Sequence, residues 1–122
     1  MPEGLSVTAA NQCLSTLASN YTWAKLHVGA PGAAATANAA VEATRKQVTW
    51  STPASAAMDN ATTALQWTNV AGSEDYTHIT LWTASTGGTF GFSGTIVANP
   101  VTAGDNFTIA VGDLDVTFAT AS

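Results

Sequence analysis

The chain has 122 residues, enough for one domain with a single core and too few for two. Apolar residues make up 46% of it and charged ones only 9%, against about 25% charged in an average soluble protein, which excludes a disordered chain. The net charge of −5 sets eight acids against Lys25, Arg45 and Lys46, and three cations cannot neutralise a run of phosphates or hold an anionic membrane surface. Nucleic acid and membrane are therefore excluded as partners. A surface built from Thr, Ser, Asn and Ala repels itself weakly and suits a protein whose faces meet neighbours.

The N-terminal stretch Ser6–Asn20 predicts the one helix. Ser6 is a good N-cap, Leu5 before it can staple against Ala10, and Asn20 is a natural stop. Ala9, Ala10, Cys13, Leu14, Leu17 and Ala18 form one thin apolar stripe. On that stripe Cys13 is expected to be a buried, inert thiol.

From Tyr21 the period becomes two. Thr22–Val28 predicts a strand with Ala24, Leu26 and Val28 facing the core and Trp23, Lys25 and His27 facing away. Gly29-Ala30-Pro31-Gly32 ends it, and Ala33–Ala43 reads as a surface loop. Lys46–Trp50 follows with Val48 and Trp50 inward, closed by Ser51-Thr52-Pro53. Thr62–Thr68 places Leu65 and Trp67 inward, and Thr77–Thr83 does so with Ile79 and Leu81. After the turn signal Thr86-Gly87-Gly88, the strand Thr89–Val97 sets Phe90, Phe92 and Ile96 on one face. Its Gly91 and Gly94 predict a bulge or a close backbone approach. Turns at Ala103-Gly104-Asp105 and Gly112-Asp113 frame Asn106–Val111, with Phe107 and Ile109 inward, and Leu114–Phe118 closes the series. The expectation is a mainly β, single-domain chain over 1–122: a helix at about 6–20, then an antiparallel β-sandwich of about seven strands at about 21–119.

Chemistry is hard to find in this pattern. His27 and His78 lack the close-spaced partners of zinc motifs, and no nucleophile–base–acid signature accompanies them. Asp113 and Asp115 flank Leu114 beside a turn, where solvated acids are ordinary. The expectation is a non-enzyme with no metal and no cofactor. Of four Trp, Trp50 and Trp67 fall in register with the core. Trp23 and Trp82 fall opposite it, and with His27 they are the candidate assembly interface. The alternative is that the helix or a second sheet covers both indoles. Lone Cys13 excludes an intrachain disulfide, and Met1-Pro2-Glu3 opens no signal-peptide pattern, so synthesis in a reducing cytoplasm is expected.

Leu26–Gly32, Thr44–Trp50, Thr77–Trp82, Gly87-Gly88-Thr89-Phe90, Phe92-Ser93-Gly94, Val101–Asp105 and Gly112-Asp113-Leu114 together resemble one known pattern. Over roughly residues 4–118 the chain resembles small virion structural proteins of actinobacterial tailed phages, variously head decoration, minor capsid or minor tail proteins. The resemblance implies a virion component, and the leading expectation is a head decoration protein on the capsid surface. Its partners would be the major capsid protein and copies of itself, as a dimer or trimer. A minor tail or tail-fibre-associated protein is the alternative. A carbohydrate-binding module stacking sugars on Trp23 and Trp82 is the second.

Overall fold

The computed structural model describes residues 4–60, 64–97 and 100–118. Among these residues helix α1 spans Val7–Asn20, and eight short strands follow: β1 Trp23–His27, β2 Lys46–Gln47, β3 Ala57–Met58, β4 Leu65–Trp67, β5 His78–Trp82, β6 Phe90–Thr95, β7 Phe107–Ile109 and β8 Val116–Thr117. Every strand pairing is antiparallel. The fold is mainly β with an N-terminal helix, as expected. The first residues expected in the strand Thr62–Thr68 lie outside the described residues.

One layer is a four-stranded sheet in the order β2-β1-β5-β6; the rest is two ribbons, β3-β8 and β4-β7. Ala24, Leu26, Ile79 and Leu81 from the sheet meet Leu65, Trp67, Phe107 and Ile109 from the β4-β7 ribbon in a single core cluster. Trp67 and Phe107 pack at 5.8 Å, Tyr76 and Phe107 edge-on at 5.0 Å. On the β2 side the layers are tied together, because buried Trp67 donates its indole N–H to Thr44 O at 2.7 Å. Buried Glu42 accepts from the amides of Thr44 and Ala71, and Glu74 from those of Val41 and Glu42. These carboxylates brace loop backbone. Beside them the enclosed Tyr76 hydroxyl, pushed up to about 12 by burial and then by Glu74 and Glu42, has no hydrogen-bond partner among the described residues.

The helix begins as expected, with Ser6 Oγ accepting from the Ala9 amide at 3.1 Å, while Leu5 stays exposed. Its roll differs. Ala10 and Leu14 are buried, and Asn11 Oδ1 accepts from the Ala56 amide at 2.9 Å. With Asn11 turned inward, Cys13 is rotated out of the stripe and is exposed. That contact also holds the turn into β3, where Ser55 (φ 52°) and Ala56 (φ 59°) are both left-handed between the mutually bonded Ala54 and Ala57.

Two strands depart from strict alternation. β1 ends at His27, and Val28 is 38% exposed rather than in the core. In β6 the register slips by one, pairing Phe92 with Leu81 but Phe90 with Trp82. Phe92 therefore joins the core with Tyr21 and Trp50, whereas Phe90 lies on the opposite face with Trp82. The expected shared face of Phe90, Phe92 and Ile96 is split by this bulge. Gly91 is its cause: a Cβ there would sit 2.3 Å from the Tyr21 ring, so only glycine admits the contact. Gly94 has open space around it, and no such reason applies there.

Candidate assembly surface

Because Ala24, Leu26, Ile79 and Leu81 take the core face of β1 and β5, alternation sends Trp23, Lys25, Thr80 and Trp82 to the other face of the sheet. Register sets Trp23 beside both Gln47 and Trp82, and Trp82 beside Phe90. One cross-strand row, Gln47–Trp23–Trp82–Phe90, thus crosses the sheet, and neighbours in such a row touch. Trp23, Trp82 and Phe90 are each half-buried. Among the described residues, β6 and the segment before β2 shield Trp82. Phe90 packs against it at 5.6 Å, and the Arg45 guanidinium carbon lies 4.3 Å above its ring. Arg45 Nη1 donates to Ala84 O and Gly87 O, both at 2.8 Å, in the turn where Gly87 (φ 60°) and Gly88 (φ 74°) reverse the chain. With a cation on its ring, Trp82 is a poor platform for stacking a sugar. Trp50, Trp67 and Trp82 all donate their indole N–H within the fold, whereas that of Trp23 has no partner among the described residues.

His27, the third residue expected at the interface, is 0% exposed. Its Nδ1 lies 3.0 Å from Ala37 O and its Nε2 2.9 Å from Thr80 Oγ1, which also accepts from Trp82 Nε1–H at 2.8 Å. A carbonyl only accepts, so Nδ1 carries the proton and neutral Nε2 accepts the Thr80 hydroxyl. Burial first, then Lys25 and His78, hold the ring below the usual histidine pKa, with the Ala37 hydrogen bond opposing. His27 has no surface to present to a neighbour. It links the loop after β1 to the underside of Trp82. His78 is half-buried, its Nδ1 2.9 Å from Thr77 Oγ1.

Reading the sequence therefore locates Trp23 and Trp82 on a common outer face but misses Arg45 and Thr80, which fix the Trp82 ring. The available signal for Arg45 was the Gly87-Gly88 turn, whose carbonyls need a donor. Among the described residues, no group of three His, Cys, Asp or Glu side chains is placed to hold a metal ion. The face offers aromatic surface, a fixed cation and amide groups, which suits contact with another macromolecule.

Residues 5–117 match the family described as Podophage GP4 fiber I protein gp80. No curated protein matches the chain. The match indicates a phage virion structural protein, and it fits the tail-fibre alternative better than capsid decoration. It does not bear on actinobacterial hosts.

Proposed function

From the membership of this chain in the podophage GP4 fiber I protein gp80 family, we propose that it is a fibre-associated structural subunit of the phage tail, working by packing rather than by catalysis. The observation that carries this reading is the extent of the match, which takes in nearly the whole domain. The outer sheet face supplies the contact: Trp23 and Trp82 lie side by side, with Arg45 already immobilised at no further entropic cost on docking. The subunit associates with copies of itself as a dimer or trimer and with neighbouring tail proteins, and it is made in the host cytoplasm before joining the particle. Low charge lets copies approach closely, and the residual acidity keeps the free subunit dispersed.

Gold-labelled antibody against the chain, imaged on intact particles, tests the location. Label at the tail is the expected result; label confined to the head returns the protein to capsid decoration. Trp23→Ala should abolish incorporation into particles while leaving the free domain folded, and incorporation at the normal level would remove the outer face from the interface.

A further inference from the structure

Among the described residues the layers are tied on the β2 side, where Trp67 reaches Thr44, and not on the β6 side. Leu26 O accepts from the Ala40 amide, away from β5, so alternation directs the Ile79 and Leu81 peptides toward β6. Their partners Gly94 and Phe92 bond inward, as does Ile96, whose amide donates to Thr77 O at 3.0 Å. The peptide groups of Ser93 and Thr95 consequently point out of the sheet. Among the described residues no strand pairs with that edge. Edge strands are ordinarily blunted by charge, by proline or by shortness. β6 has six residues, the longest strand here, with neither charge nor proline.

Along this edge runs a groove formed by two cavities of about 350 and 300 Å3 that share Thr95, Leu114 and Asp115. Its floor includes Ile79, Leu81 and Ile109. Its far wall is the segment Asp113–Thr117 leading through β8, which bonds to β3 on its other side. The side chains lining it carry acid at Asp113 and Asp115 and no cation.

We propose that this groove receives one extended strand from a different protein of the particle, bonded to the outward peptides of Ser93 and Thr95. Alternate apolar side chains of that strand enter the groove, and a Lys or Arg meets Asp113 and Asp115. An extended chain is required because the two outward peptides repeat at the two-residue spacing of a strand, about 6.8 Å. A basic partner is required because both rim charges are acidic. A second copy of this chain is a poor source of one, because Lys25 lies in β1 between two paired strands and Arg45 is held by Trp82, Ala84 and Gly87, which leaves Lys46 on the edge strand β2 as one cation against two acids. Two copies joined edge to edge would also set their Asp113–Asp115 pairs against each other. This docking mode holds whether the particle site is tail or head, so its failure leaves the fibre reading standing.

The test uses the full chain, labelled with nitrogen-15, and two capped synthetic peptides, TVTKTV and TVTETV, in which the charged residue shares a face with the valines. At ten times its Kd the lysine peptide should slow hydrogen exchange at Ser93 and Thr95 about tenfold by mass action, and the glutamate peptide should bind several-fold more weakly. Asp113→Asn with Asp115→Asn should erase that difference between the peptides. Thr95→Pro, at an outward N–H that contributes no ladder bond, should leave the fold intact and abolish binding. Absence of protection at Ser93 and Thr95 with the lysine peptide overturns the proposal, as does equal binding of the two peptides to the unmodified chain. Protection that appears with rising protein concentration alone would make a second copy the occupant and overturn it as well.

Discussion

Thr80→Val removes one hydroxyl and almost no volume, and it isolates the role of the His27–Thr80–Trp82 chain of hydrogen bonds. In the native fold Thr80 Oγ1 accepts from Trp82 Nε1 and donates to His27 Nε2, and both Thr80 and His27 are fully enclosed. Valine leaves the His27 acceptor without a partner, which costs about 1–3 kcal/mol, and strands the half-buried Trp82 N–H for about 1 kcal/mol more. The expected loss is therefore about 2–4 kcal/mol out of a total of about 5–15 kcal/mol. Urea unfolding followed by Trp fluorescence reads this as a lowered midpoint at unchanged slope. The same network predicts the pH dependence. Because the His27 pKa is lowered in the folded state, the fold binds fewer protons than the unfolded chain. Its stabilisation is complete above the unfolded value of 6.5 and is lost as pH falls through 6.5 toward the folded pKa. Thr80→Val within 0.5 kcal/mol of the native chain, roughly the scatter of neutral substitutions, would refute this reasoning. So would nitrogen-15 shifts placing the neutral proton on Nε2.

Gly91→Ala forces a methyl into the Tyr21 ring and should cost about 1–3 kcal/mol, measured by the same unfolding assay. Arg45→Ala uncovers Trp82 and frees two carbonyls, so Trp emission should shift to the red and stability should fall by about 1–2 kcal/mol. Ala56→Gly relieves a left-handed residue (φ 59°) and should raise the unfolding midpoint by the equivalent of about 0.5–1 kcal/mol. The exposed Cys13 thiol should react with a disulfide reagent in the native state at a rate close to that of the unfolded chain.

The helix, its Ser6 cap and the inward residues of four strands were legible because each depends on local periodicity. Ala24 with Leu26, Leu65 with Trp67, Ile79 with Leu81, and Phe107 with Ile109 are buried as alternation predicts. β3 was invisible for an equally local reason. A turn with two left-handed residues is ordinarily marked by Asn-Gly or Asp-Gly, and here Ser55-Ala56 occupies it. The distant Asn11, reaching from the helix, helps hold that turn beside the Ala54–Ala57 pair. Its pull also accounts for exposed Cys13, since a stripe rich in Ala sets the roll of a helix only loosely.

The outer face divides along the same line. That Trp23 and Trp82 share the side of the sheet away from the core follows from period two, and the sequence alone determines it. That they are neighbours depends on which strands pair, a contact between positions 59 apart that no local pattern encodes. The bulge at Gly91 then decides that Phe90 joins them and Phe92 does not. Burial decides that His27 is a strut rather than a surface. Alternation states which face a side chain takes, but what covers that face is settled by segments remote in sequence. Here those segments are the loop carrying Ala37 and the residue Arg45, and only tertiary structure brings them in.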